Sequence, residues 1–337
     1  MSHANYHEVV GANATACGRQ LGRLFGATVR AYIEDEEGSR HWRKLKADAD
    51  RYLAVTAKYF PAYVEELQAY ADAARVDLLD LWTMSIGDEL EDAEKCTTVV
   101  TNNGRLIAHN EDWDADAVDD ICILKRTCAG VTTLELYYYG CPLGGTALSI
   151  CSRGYVQAIN SLNHIDQRVG IPKIVIARRL SELADTKQEL PDLLALPRAS
   201  GFAHTLVDRS GRTTAIECSA KRQGVRRPEL PFVHTNHMLD DALCDVQGEL
   251  DGRSTIDRYN AACTLAAPAM DRAALTKLTG DNRRGPVNSV LNENTIARAI
   301  VDLDRRVASF WLRREPRKVW VDYPIDFMFA DDARAIS

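Results

Sequence analysis

The sequence predicts an α+β protein. Roughly the first 95 residues carry apolar side chains at helical spacing, and the texture then changes at Cys96 to β-branched runs broken by tight-turn residues. Beyond that point three strand-turn-strand units alternate with separate helical blocks, the pattern of antiparallel sheet covered by helices. At 337 residues the chain is long enough for one large or two ordinary domains with a sizeable core.

The helical part opens with Leu21, Leu24, Phe25, Val29, Tyr32 and Ile33 on one stripe. Pro61 suits the first turn of a second segment that aligns Val64, Leu67, Ala71 and Ala74, and Asp77 is placed to cap a third that carries Leu78, Leu81 and Trp82. The basic stretch Arg40 to Lys46 lies between acidic runs and reads as a solvated helix face.

The hairpins come next. Thr97 to Thr101 and Arg105 to His109 flank Asn102-Asn103-Gly104; Thr205 to Val207 and Thr213 to Glu217 flank Asp208 to Arg212; Ile296 to Asp302 and Val307 to Leu312 flank Leu303 to Arg306. Helices are expected over Pro172 to Ala184, over Ser254 to Ala267 behind a capping box at Ser254 and Asp257, and over Arg272 to Leu278 before Gly280. Composition is that of a folded globular chain. The net charge of -7 argues against a nucleic-acid surface. The start carries no leader pattern, and no apolar run approaches the ~18 residues of a membrane helix, so a cytoplasmic protein without membrane contact is expected. The nine cysteines form no CxxC pair and are expected to be mostly reduced and buried.

Cys96 differs from the other cysteines in its position, at the start of a strand and behind the charged stretch Asp88 to Lys95, where burial is not expected. A nucleophilic thiol needs a base, and His109 lies across the hairpin, although a strand-end histidine is more commonly structural. The run Asp112, Asp114, Asp116 starts like a calcium loop, but Ala117 stands where the turn glycine belongs and Ile123 where the bidentate glutamate belongs. His234 and His237 would make half a zinc site with no second pair at finger spacing, and Asn236 between them reads as a turn residue.

Taken together, CTTVV, NNG, NEDWD, the AINSLN run at Ala158 to Asn163 and the VHTNH run at Val233 to His237 resemble the acyl-coenzyme A:6-aminopenicillanic acid acyltransferase family of N-terminal nucleophile hydrolases. More distantly they resemble the choloylglycine hydrolases. The resemblance implies a four-layer αββα sandwich, with residues 1–95 as a helical propiece, cleaved off but retained, and residues 96–337 as the catalytic domain. It implies that Cys96 attacks the carbonyl of Lys95, that the cleaved chain begins at Cys96, and that the freed α-amine then serves as base. Asp114 would orient that amine, Trp113 would precede it as in the family, Asn236 would donate to the oxyanion, and Asn160 would be a second donor or a substrate contact. Arg258 would pair with Asp114 or with a substrate carboxylate.

Two residues depart from the family pattern. Lys95 stands where glycine is frequent, and Asn110-Glu111-Asp112 stands where penicillin-pathway members carry Gly-Gln-Asn. Carboxylates at Glu111 and Asp112 facing the pocket, with Trp113 and His109, would favour a cationic amine or aminoacyl substrate. The resemblance implies no metal or organic cofactor, an acyl-coenzyme A as a candidate co-substrate, and a small amide, amine or acyl thioester as partner. The cleaved fragments would stay associated, and a homo-oligomer is a further candidate assembly. The rival readings are an unprocessed, non-catalytic αββα ligand-binding relative, and a metal-dependent hydrolase built on His109, His234, His237 and the acidic cluster.

Overall fold

The computed structural model describes residues 3–87, 95–250 and 252–330. The charged run before Lys95, residues 88–94, lies outside the described residues.

The first element is a strand, β1 (Tyr6–Gly11), in a region read from sequence as almost entirely helical. Its Val9 and Gly11 turn inward, and it pairs in parallel with β4 (Ile121–Cys128), Tyr6 opposite Ile123. Four helices follow. α1 (Ala14–Glu36) starts at Asn13, whose Oδ1 accepts from Ala16 N at 2.9 Å. It buries Leu21, Phe25, Val29 and Ile33, while Leu24 and Tyr32, expected on the same stripe, are exposed. α2 (Arg40–Tyr59) buries Trp42 and Leu45 and leaves Arg40, Arg43 and Lys44 in solvent. α3 (Pro61–Ala74) lies so close to α1 that a Cβ on Gly18 would meet Glu66 O at 1.9 Å, and one on Gly22 would meet Tyr70 O at 2.3 Å. α4 (Leu78–Ser85) is capped as expected, Asp77 Oδ1 accepting from Leu79 N at 2.8 Å.

The remaining strands complete two sheets. β5 (Val131–Tyr138), β6 (Leu148–Cys151), β7 (Tyr155–Ser161), β8 (Phe202–Asp208), β9 (Thr213–Cys218) and β10 (Gln223–Arg226) extend the first in the order β1-β4-β5-β6-β7-β8-β9-β10. β2 (Lys95–Thr101), β3 (Leu106–Asp112), β11 (Phe232–His234), β12 (Thr295–Asp302), β13 (Val307–Leu312) and β14 (Val321–Pro324) form the second in the order β11-β2-β3-β12-β13-β14. β2 faces β7 across the interface of the two sheets. α1 and α5 (Lys173–Ser181) cover the first sheet, and α7 (Ser254–Leu265) and α8 (Arg272–Thr279) cover the second, with α6 (Thr186–Leu194) after α5. The result is the αββα sandwich. The helix expected over Pro172 to Ala184 ends early, at Ser181. The expected capping box at Ser254 does not form, because its hydroxyl donates to Val287 O and accepts from Arg258 Nε. Six of the nine cysteines are buried; Cys128 is half-buried, and Cys244 and Cys263 are exposed. Among the described residues, no helix is long and apolar enough to cross a membrane.

A buried charge cluster ties the first helices to the strands. Glu66 of α3 meets Arg126 of β4 at 3.1 Å and Arg178 of α5 at 3.7 Å; Arg126 reaches Glu135 of β5 at 3.3 Å, and Arg178 reaches Glu182 at 2.8 Å. Burial raises each of the three carboxyl groups against the pull of the neighbouring guanidinium groups, so the folded state holds a proton there more tightly than water would. Burial pushes Glu66 up from 4.5 to about 7, against the pull of Arg126. Because the folded state holds that proton more tightly than the unfolded chain, the stabilisation is full below about 4.5 and is lost as pH rises through about 7. Thermal unfolding is therefore expected to occur at lower temperature at pH 8 than at pH 5.5, by an effect on the order of 3 kcal/mol or less. Glu66→Gln should flatten that slope. An unchanged slope in the variant would show that Glu66 does not hold the proton.

Candidate active site

The β2–β3 pairing decides which side chains meet Cys96. The register sets Cys96 opposite Glu111 and Thr98 opposite His109, so the residue across the hairpin from the thiol is Glu111 rather than the expected His109. Side chains two apart on a strand share a face. Cys96 and Thr98 therefore point the same way, as do His109 and Glu111. Cys96 Sγ lies 3.6 Å from Glu111 Oε2, His109 Nε2 lies 2.6 Å from the same oxygen, and Tyr138 donates to Glu111 Oε1 at 2.8 Å. Cys96 itself is 2% exposed, not open as its charged neighbours suggested, and His109, Glu111 and Asp112 are fully enclosed.

Three further elements close on the strand start. β11 pairs with β2, His234 opposite Thr98, and the chain beyond it brings Asn236 back over Cys96. Cys96 N donates to Asn236 Oδ1 at 2.8 Å, and Asn236 Nδ2 donates to Ser161 O at 3.1 Å. From the second turn of α7, Arg258 donates to Cys96 O at 2.6 Å, to Thr97 Oγ1 at 3.0 Å and to Asn236 Oδ1 at 2.9 Å. From β7 in the facing sheet, Asn160 Oδ1 accepts from Thr98 Oγ1 at 2.9 Å. Asn160 thus reaches the site through Thr98.

Asp114 is not among the groups that gather at Cys96. β3 ends at Asp112, in register with Lys95, and Asp114 lies past that end, exposed. Arg258 accordingly lies beside Asp112, at 4.0 Å, and not beside Asp114. Asp112 Oδ2 also accepts from Asn292 Nδ2 at 2.8 Å. Burial raises the Asp112 carboxyl while Arg258 draws it down, and burial lowers Arg258 in turn, opposed by Asp112. Glu111 and Asp112 are thus fully buried and bonded to the chain's own groups, whereas the expected cationic-substrate preference had them face a pocket.

The histidines expected for a metal-dependent hydrolase are not assembled. His234 turns to Glu217, Nε2 to Oε1 2.9 Å, and His237 Nδ1 meets the hydroxyls of Thr235 and Thr255. Burial lowers His237 to about 4, which keeps its ring neutral. Among the described residues, the set close enough to share an ion is Cys96, His109 and Glu111, which includes neither His234 nor His237.

A cavity of about 180 Å³ lies beyond Tyr138. Thr28, Val29 and Tyr32 of α1, Met84 of α4, Trp113 and Cys141 line it with Tyr138 and Asp120, so its wall is mainly apolar with a polar share and is partly built from the first 95 residues. Trp113 is half-buried there, its ring 5.7 Å from that of Tyr138. Tyr138 connects cavity and thiol, since its hydroxyl bonds the carboxylate beside Cys96. Sequence reasoning passed over Tyr138, Thr98 and Ser161. Their only signals were the position of Tyr138 in a tyrosine run and the two-residue step from Cys96 to Thr98.

Penicillin V acylase from Agrobacterium tumefaciens is structurally similar at 15% identity and a TM-score of 0.46, over 68% of this chain and 86% of that one. A variant of conjugated bile acid hydrolase from Clostridium perfringens is similar at 9% identity and a TM-score of 0.45, over 68% of this chain and 92% of that one. No curated protein matches the sequence. The family model described as acyl-coenzyme A:6-aminopenicillanic acid acyl-transferase matches residues 99–316, well over half of the chain, and the protein belongs to that family.

Proposed function

We propose that the protein is a self-processing cysteine amidohydrolase or acyltransferase of the N-terminal nucleophile type. The observation that carries this reading is the convergence on Cys96. Its amide nitrogen is held by Asn236, its carbonyl by Arg258, and its thiol by a carboxylate, all at the first residues of one strand. Cys96 Sγ attacks the Lys95 carbonyl, the peptide bond breaks, and water releases the thioester. The new α-amine of Cys96 remains beside Asn236 Oδ1.

An α-amine titrates near ~7.7–8.0 and a thiol near ~8.5, so at neutral pH the amine can relay the thiol proton with little driving force lost. In turnover the thiolate attacks a linear amide or an acyl thioester, the acyl group rests on Cys96, and water or an amine removes it. Asn236 Nδ2 has a second hydrogen beyond the one given to Ser161, which suits an oxyanion donor; such donors supply about 2.7–4 kcal/mol of transition-state stabilisation. Residues 1–95 stay bound after cleavage in this reading. β1 is a strand of the larger sheet, Glu66 is locked into the buried charge cluster, and α1 and α4 supply the wall of the cavity. That cavity suits an apolar or aromatic acyl group, with acyl-coenzyme A as a candidate donor.

Intact-mass measurement of the purified wild type should find two co-eluting fragments, one ending at Lys95 and one beginning at Cys96. Incubation with a 4-nitrophenyl ester should then release a burst of nitrophenolate and leave an acyl adduct on the Cys96 peptide. A wild type that is both uncleaved and inert to acylation would support the non-catalytic binding protein instead.

A further inference from the structure

We propose that Glu111 accepts the Cys96 thiol proton while the chain is still whole, a role that rests on self-processing at Cys96. Before cleavage no α-amine exists. Cys96 N is then a peptide nitrogen whose hydrogen is given to Asn236 Oδ1 at 2.8 Å, and an amide nitrogen has no proton affinity to offer. The first cut therefore needs a different base from every later turnover. Glu111 Oε2, at 3.6 Å from Sγ, is in place for it.

Hydrogen-bond accounting through the buried row shows what surrounds that carboxylate. Asn160 Nδ2 donates to His234 O, which leaves Oδ1 to accept the single hydroxyl hydrogen of Thr98. Thr98 Oγ1 can then only accept from His109, so Nδ1 of that ring, 3.0 Å away, carries a proton. On its other side His109 Nε2 lies 2.6 Å from Glu111 Oε2, and in the proposed base form of Glu111 that nitrogen donates to the carboxylate. Tyr138 donates to Oε1. Glu111 is thus a fully enclosed acceptor ringed by donors, with His109 as a positioning residue fixed by Thr98 and Asn160.

The step balances without an outside oxidant or reductant. As Sγ bonds to the Lys95 carbonyl carbon, the thiol proton moves to Glu111. As the carbon–nitrogen bond breaks, that proton is delivered to the departing Cys96 nitrogen, leaving a Lys95 thioester on Sγ and a free amine. Water then cleaves the carbon–sulfur bond and yields the Lys95 carboxylate and the thiol. Afterwards the α-amine is available, and Glu111 is no longer the sole acceptor.

The experiment follows cleavage by intact mass after a pulse of cell-free synthesis of the full chain, with thermal unfolding to confirm folding. Glu111→Gln keeps the shape but cannot accept the proton, and should cleave at least 100-fold more slowly than wild type, within the roughly 10²–10⁴-fold contribution of general base catalysis. Glu111→Asp should fall between the two. Glu111→Gln cleaving at the wild-type rate while Cys96→Ala stays whole would overturn the role of Glu111 and leave self-processing intact, and so would Glu111→Asp cleaving no faster than Glu111→Gln. A wild type that never cleaves would overturn self-processing itself. Should Glu111→Gln not fold, Tyr138→Phe decides. Loss of one donor leaves Glu111 a stronger acceptor, so cleavage at least as fast as wild type supports the role and a 100-fold loss removes it.

Discussion

Cys96→Ala should leave the chain whole and abolish turnover. Alanine keeps the backbone amide that donates to Asn236 and the carbonyl that accepts from Arg258, so the site retains its frame and loses only sulfur. Deleting a covalent nucleophile removes on the order of 10⁶ in kcat where nucleophile and base act as a unit. Here the loss is doubled in kind, because without the thiol the amine that would serve as base is never released. Truncating a small, buried thiol costs little packing, so thermal unfolding should shift by no more than about 1–2 kcal/mol in stability. Intact mass, steady-state rates and a melting curve on the same preparation check all three statements. Cleavage at Lys95 or acyl adducts persisting in this variant would place the nucleophile elsewhere.

Arg258→Met should be the most destabilising single change at the site. The guanidinium is fully buried and donates to Cys96 O, Thr97, Asn236 and Ser254, with Asp112 at 4.0 Å. Methionine fills much of the same volume but leaves Asp112 uncompensated and several acceptors unpaired. Breaking a buried ion pair by removing one partner costs roughly 3–5 kcal/mol. Urea unfolding should show a loss of that size, and cleavage should fail even in the folded fraction, since both the Cys96 carbonyl and the Asn236 amide lose their anchor. Arg258→Lys should recover part of the stability through its charge but not the cleavage, because a point-like ammonium cannot serve the several directions of the planar fork. Wild-type cleavage in a folded Arg258→Met chain would reduce Arg258 to a packing role.

The local features of this protein were legible in its sequence; the contacts that select chemistry were less so. Asp77 caps its helix because an aspartate before an apolar run needs only its nearest neighbours. Cys96 could be placed at a strand start for the same reason. Register is different. Thr101 pairs with Leu106, and that pairing runs back to set Glu111 opposite Cys96; a displacement of two residues would have brought His109 there instead. Nothing in the hairpin sequence alone distinguishes the two, because His109 and Glu111 lie on one face. The pairing of Arg258 with Asp112 in preference to Asp114 follows from where β3 ends, which the neighbouring β12 helps to fix through Thr295 opposite Asp112. β1 escaped notice because a six-residue strand whose partner, among the described residues, lies more than a hundred residues away has no local signal beyond Val9 and Val10.

The distances along the chain between Cys96 and its partners set a clock on its chemistry. Asn236 lies 140 residues after Cys96 and Arg258 lies 162 after it, so a ribosome has passed well beyond both before either can hold the strand start. A nascent chain that has exposed Cys96 owns a thiol and a scissile bond but not the groups that align them. Both sheets and α7 must come together first. Under the proposed chemistry, a cut before Cys96 is a record that folding has finished, and the enzyme gains its permanent base only in molecules that have passed that test.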